Sequence, residues 1–378
     1  MIDSKSIDET RAPCTPLMQL SRVAFRSVLG LPSEEYSDGA VDPDQVLKQA
    51  RAHRVIGLLQ AGEVFTTDSF KTAAWGQAVH SARLTAMAES LFTALEEASL
   101  PALLIKGPAL AAQAWPASGI RAFDDLDLRC RAADWERVEQ VVCAHGFEPD
   151  IPSARTRSHY WRYGWGLTYR HTTGSWLELN HRYFAAFLPA PHALHDIGGA
   201  ILMQQPLDSR SVTALTPAAH LVLCSTHAIW HGGERLAWFA DIAALLARKP
   251  DALSEAIAMT AKDHFARTSL QTACAVAARL FGSSLLDGYE LTATQPEAEG
   301  LILAQLAADG PPDRHAQRHL HELCLNRVEH VRYRVKRAFI PGDGDFRAFS
   351  LPRPLAWLYW LTRPVRVGIS RLARVVRK

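Results

Sequence analysis

Asp125 and Asp127 are separated by a single residue and alternate with Leu126 and Leu128. On a strand of period two the carboxylates share one face and the leucines the other. Two carboxylates held side by side repel each other and cost stability unless a cation lies between them. Upstream, the apolar run Leu103-Leu104-Ile105 ends in Lys106-Gly107, followed by Pro108, Ala109 and Leu110. That pattern predicts a strand turning sharply into a helix at Gly107. A helix start with a lysine at its mouth is a seat for phosphate. Arg121 stands between the two pieces. Together they describe a site for a metal-bound nucleoside triphosphate (NTP). Asp125 and Asp127 are its candidate metal ligands. Lys106, Gly107 and Arg121 are its candidate phosphate contacts.

A third acid has the same setting. Trp176-Leu177-Glu178-Leu179-Asn180 alternates, and Thr172-Thr173-Gly174 joins it to Leu167–His171 as a hairpin. Glu178 either joins the first two acids or faces solvent at a sheet edge. Further on, Thr216 as N-cap and Pro217 at the first position open a helix that stops at Gly232-Gly233. Its His220, His227 and His231 share one face. They spread over three turns, too far for one tetrahedral ion. They line a cleft or hydrogen-bond within a helix interface. Asp241 follows as the cap of the next helix or as a cleft residue.

The ordered set Lys106-Gly107, Arg121 and Asp125-Leu126-Asp127 resembles the uncharacterised nucleotidyltransferase family of the DNA polymerase β-like superfamily. The segment from His227 through His231-Gly232-Gly233-Glu234-Arg235-Leu236-Ala237-Trp238 to Asp241 is similar to that family's second signature. The resemblance implies an α+β fold, with a small mixed sheet and helices flanked by N-terminal and C-terminal helical regions. It implies two Mg²⁺ ions on Asp125, Asp127 and Glu178, and a nucleotide cleft that includes His227 and His231. The implied reaction moves a nucleoside monophosphate from an NTP to a small-molecule or peptide acceptor and releases pyrophosphate. There are two departures. The superfamily turn is usually Gly-Gly or Gly-Ser with a shorter gap to the acids. The family strand places His two residues after the third acid, where Asn180 stands here and His181 is one position later. A non-catalytic nucleotide-binding or membrane-associated partner protein that keeps the fold is the alternative. Retention of three mutually repelling acids argues against it.

The elements that must position these residues follow from the pattern. Residues 1–99 read as a helical region and 100–212 as the catalytic core. Residues 213–345 read as a second helical domain and 346–378 as a basic tail. Within the core, 150–164 reads as a loop rich in Arg, Tyr and Trp. The chain has 378 residues, enough for a sizeable core, with a formal net charge of +2. That small charge conceals an asymmetry. From residue 346 onward there are eight basic residues and no acid, so the body carries 33 basic residues against 39 acidic ones. A mildly acidic body makes a nucleic-acid acceptor an unlikely partner. The six cysteines form no CxxC pair and read as reduced thiols of a cytoplasmic protein. No apolar run approaches the roughly 20 residues of a membrane span.

In the tail, Trp357, Tyr359 and Trp360 precede Pro364. Beyond it Val365, Ile369, Leu372 and Val376 fall on one side of a helical wheel. Arg363, Arg366, Arg371, Arg374, Arg377 and Lys378 fall on the other. Two readings stay open: residues 353–378 attach peripherally to an anionic membrane surface, or the helix docks on its own protein with the arginines in water.

Overall fold

The computed structural model describes residues 15–32, 41–184, 186–189, 191, 194, 201–308, 314–348 and 351–375. Most of the expected loose N-terminus with Cys14, and the tail side chains from Ile369 onward, lie outside the described residues.

Four helices precede the sheet: α1 (Pro16–Val28), α2 (Pro43–His53), α3 (Ile56–Ala61) and α4 (Asp68–Glu97). The caps are local. Thr15 Oγ1 accepts from the Met18 N–H and Asp42 Oδ1 from the Asp44 N–H, each with proline at the first helical position. Strands and helices then alternate: β1 (Ala102–Leu104), α5 (Pro108–Ala114), β2 (Asp125–Cys130), α6 (Trp135–Ala144), β3 (Phe147–Pro149), α7 (Ala154–Tyr163), β4 (Gly166–His171), β5 (Trp176–Asn180), β6 (Leu202–Pro206) and β7 (Ser211–Leu215). Nine helices follow among the described residues: α8 (Pro217–Trp230), α9 (Leu236–Arg248), α10 (Asp251–Thr260), α11 (His264–Phe281), α12 (Pro296–Ala307), α13 (Arg314–Leu323), α14 (Arg327–Phe339), α15 (Asp343–Ala348) and α16 (Tyr359–Val375).

The seven strands form one mixed sheet in the order β3-β4-β5-β2-β1-β7-β6. β2 runs parallel to β5 and β1 parallel to β7, while the other pairs are antiparallel. This is the α+β core the resemblance implies. Alternation sorts its two faces. Leu126, Leu128, Leu177 and Leu179 bury with Leu104, with Leu84 and Leu91 of α4 and with Val138 of α6. Each leucine removed from water contributes about 1.5–3 kcal/mol. That burial fixes the register and turns the intervening acids to the opposite face. There Leu103 and Ile105 of the neighbouring strand join the second core, with α8, α9 and α11.

The structure differs from the sequence expectation in several places. Residues 154–163 form α7 rather than loop, capped by Ser153 accepting from the Thr156 N–H. The helix buries His159, Trp161 and Tyr163, so its inward face has no aliphatic stripe to announce it. β6 and β7, which the pattern left unassigned, extend the sheet beyond β1. Asp241 sits inside α9 and caps nothing.

The tail is also arranged otherwise. α16 begins at Tyr359 and carries Pro364 within it. Tyr359 is fully buried against Phe346 and Tyr163, whereas Trp357 and Trp360 are exposed. Arg363 and Arg366, expected in water, both turn inward to the buried carboxylate of Asp345, at 2.6 and 2.5 Å. Leu361 and Val365 face outward instead. Among the described residues, no helix is long and apolar enough to cross a membrane.

Candidate active site

Parallel pairing of β2 with β5 sets Asp125 opposite Trp176 and Asp127 opposite Glu178. The three acids therefore stand on one face of adjacent strands. They line a cavity of ≈ 330 Å³ together with Lys106, Gly107, Arg121, His227, His231 and Asp241. Every residue singled out in the sequence for metal or nucleotide lines this one cavity.

The carboxylates bear the electrostatic mark of that crowding. Burial, then the neighbouring Asp127, push Asp125 up to about 6, against the pull of Lys106 and Arg54. Burial, then Asp127 and Asp125, push Glu178 up to about 7. Among the described residues, no three His, Cys, Asp or Glu side chains converge as a preformed metal cage. A donor set of this kind nonetheless suits Mg²⁺, which binds through one or two carboxylates plus substrate phosphates rather than in an all-protein cage.

The turn at Gly107 has φ +53°, a left-handed conformation open to glycine. It lets the chain swing from β1 into α5 directly beside Asp125. Pro108 lacks an N–H and the Ala109 N–H donates to Lys106 O, so two of the first donors of this seven-residue helix are unavailable to a phosphate. Side-chain cations are left to meet that charge. Lys106 Nζ lies 3.0 Å from His227 Nδ1. Burial first, then Lys106 and the His231 ring, hold His227 well below the usual histidine range. The imidazole is thus neutral, and its Nδ1 accepts from the ammonium. His231, its ring centroid 4.4 Å from that of His227, is held down to about 3 by burial, then Lys106 and Arg235. Lys106 lines the cavity with no carboxylate bonded to it among the described residues, and Asp124 pairs with Arg54 at 2.6 Å.

Arg121 is committed elsewhere. Its Nε donates to Asp241 Oδ2 at 2.8 Å and its Nη1 to Gly107 O at 3.4 Å. Trp115 Nε1 donates to Asp241 Oδ1 at 2.8 Å. Burial opposes the Arg121 charge, but Asp241 and Asp127 outweigh it and raise its pKa. Arg121 thus braces the Gly107 turn from a buried ion pair. His220 faces away from the cavity: its Nε2 lies 2.5 Å from Ile105 O and its Nδ1 2.7 Å from Gln113 Oε1. Of the three histidines on α8, two are cleft residues and one supports the backbone just before Lys106.

Residues 39–282 match the family described as uncharacterised nucleotidyltransferase. The chain belongs to that family. No curated protein matches the sequence. Among solved structures, the antibiotic-resistance factor ANT(2'')-Ia is similar at 12% identity and a TM-score of 0.35, over 48% of this chain and 94% of that one. An antigenic nucleotidyltransferase-like protein from Paracoccidioides brasiliensis is similar at 16% identity and a TM-score of 0.32, over 50% of this chain and 92% of its own. The segment from His227 to Asp241 lines the same cavity as the acids and supplies Asp241, the partner of Arg121. The same cavity holds residues the sequence reading passed over: Trp165 just before β4, Asn180 at the end of β5, Arg182 just beyond it, and Arg54 at the C-cap of α2. Only Asn180 carried a signal, as the departure from the family histidine. His181 packs on Trp161 instead, with ring centroids 4.4 Å apart.

Proposed function

We propose that this nucleotidyltransferase moves a nucleoside monophosphate from an NTP to a small-molecule or peptide acceptor and releases pyrophosphate. The observation that carries the proposal is the strand register: Asp127 directly opposite Glu178, with Asp125 two residues along the same face, in one cavity with Lys106. Lys106 meets the negative charge of the departing phosphates, and neutral His227 holds its ammonium in place. Gly107 lets the triphosphate approach the backbone closely. Asp125, Asp127 and Glu178 would hold Mg²⁺. When bound, Mg²⁺ supplies charge neutralisation at the phosphates and lowers the pKa of the attacking hydroxyl. The acceptor oxygen bonds to the α-phosphorus as the bond to the β-phosphate oxygen breaks, and the electron pair leaves with pyrophosphate.

Incubation with each labelled NTP and Mg²⁺ tests this, with candidate acceptors and with the protein itself as acceptor. Release of pyrophosphate that chelation abolishes is the expected result. Full release from Asp125→Asn or Asp127→Asn would overturn it.

A further inference from the structure

A second cavity of ≈ 270 Å³ lies on the other side of Glu178, which lines it together with Trp165 and Asn180; the same three residues line the first cavity. The remaining wall carries four aromatic side chains, Tyr160 and Tyr163 of α7, Phe187 and Phe346, with Ile151, Leu167 and Ile340. We propose that this second cavity is the acceptor chamber and that its acceptor is a compact, uncharged molecule with an aromatic or alicyclic ring and a hydroxyl. The proposal rests on the nucleotidyl-transfer reading and names the acceptor class for that site.

Three observations carry it. The first is position. Thr168 of β4 is the register partner of Glu178, so the chamber begins one strand beyond the third acid. An acceptor there would present its hydroxyl to Glu178 from the side opposite Lys106. Its oxygen bonds to the α-phosphorus as the bond from that phosphorus to the bridging oxygen breaks, its proton is released to solvent, and pyrophosphate leaves from the Lys106 side. The second is an unused acceptor. Asn180 is 4% exposed, and its Oδ1 has no hydrogen-bond partner among the described residues. Burying an amide oxygen unpaired costs about 1–3 kcal/mol, which a donor on the ligand would recover by drawing the Asn180 amide round into the chamber. The third is charge. Arg363, the cation in this wall, already bonds to Asp345 and to the Arg337 carbonyl, and the one carboxylate in the lining besides Glu178 is Asp150, which is exposed to solvent. The volume falls just below the roughly 300–1,000 Å³ of drug-sized sites, which fits one or two rings and not a polymer.

The wall at Ile340, Phe346 and Arg363 comes from the C-terminal segment, outside the stretch 39–282 that matches the family. The nucleotide half of the site is family property, whereas the acceptor half is finished by a part of the chain beyond the match. On this reading, α15 and α16 belong to the active site.

Two filling variants of the full chain test the chamber: Thr168→Phe from β4 and Ala186→Phe from the opposite wall. The probe is 2-naphthol, with glucose 6-phosphate as anionic and glucosamine as cationic controls. Binding is followed by saturation-transfer NMR, and binding of a non-hydrolysable NTP analogue with Mg²⁺ by calorimetry. The expected result is naphthol binding weakened on the order of tenfold or more in both variants, with the analogue bound as in wild type and the charged controls silent. Naphthol binding that neither variant alters, or stronger binding of either charged control, would overturn the proposal. Naphthol binding by wild type, lost in the variants, in a protein that never binds the analogue would refute nucleotidyl transfer and keep the chamber. Analogue binding without naphthol binding would do the reverse.

Discussion

Substitution at the Arg121–Asp241 pair separates two roles for Arg121, a phosphate contact or a brace. Their side chains are 11% and 4% exposed, and the carboxylate has two donors, Arg121 Nε and Trp115 Nε1, at 2.8 Å each. Removing one partner of a buried pair costs about 3–5 kcal/mol, chiefly because the other charge is stranded. The Arg121 side chain keeps 11% of its surface exposed, so the lower end applies to Asp241→Ala, about 3 kcal/mol. The orphaned indole N–H of Trp115 adds roughly 1 kcal/mol. Arg121→Met leaves the carboxylate of Asp241 with the indole alone and costs about 4 kcal/mol by the same reasoning. In Arg121→Met/Asp241→Ala no charge remains to be stranded. The double variant is expected to cost about as much as either single one, giving a coupling of about 4 kcal/mol in the cycle. Urea unfolding followed by tryptophan fluorescence measures it. If the two single costs are each below about 1 kcal/mol and add, the pair behaves as a surface ion pair, and Arg121 is free to contact phosphate. That result would refute the assignment of Arg121 as a brace.

Asp127→Asn and Asp125→Asn are expected to lower pyrophosphate release by more than ~10³-fold in a folded protein, and Glu178→Gln comparably, as measured by single-turnover kinetics with a labelled NTP. Lys106→Ala should weaken analogue binding by about 1–3 kcal/mol in calorimetry, whereas unchanged affinity would make the lysine a structural partner of His227. Burial holds His220 down to about 3, so below about 6.5 the unfolded chain takes up a proton that the folded chain refuses. Above pH 6.5 this group adds no pH dependence, and from there towards pH 3 it draws stability down; His220→Gln should make the acid side of the urea midpoint against pH less steep. Tyr359→Ala should cost about 3 kcal/mol, as for other buried aromatics, whereas an unchanged urea midpoint would mean that α16 merely rests on the surface.

The catalytic face was readable from the sequence for a physical reason. Asp125 to Leu128 and Trp176 to Asn180 are short, strictly alternating strands, and a period of two fixes which side chains share a face once the leucines are buried. The Lys106-Gly107-Pro108 turn and the Thr216-Pro217 helix start are equally local, so they too were legible. The parallel pairing that sets Asp127 opposite Glu178 is not local. Neither is the choice between interface and cleft for the histidines of α8, which split one against two. Asp241 reads as a possible cap from its place after Trp238, yet it is the centre of a buried pair whose partner lies 120 residues away.

The tail shows why periodicity failed where it did. On a wheel, Arg363 and Arg366 form a polar face and Val365 an apolar one, and partition between water and oil would send them in opposite directions. That argument assumes the protein offers α16 only an apolar surface. It offers Asp345 instead, a carboxylate 1% exposed that needs cations more than the valine needs cover. A bidentate demand of this kind exceeds the burial of one valine, since hydrogen bonds to a charged group contribute about 1.5–3 kcal/mol each. The helix therefore rolls its arginines inward. The same roll puts Arg363 into the chamber wall with its donors already committed. That leaves the chamber without a free guanidinium, and it makes recognition there a matter of aromatic surface and the unpaired oxygen of Asn180.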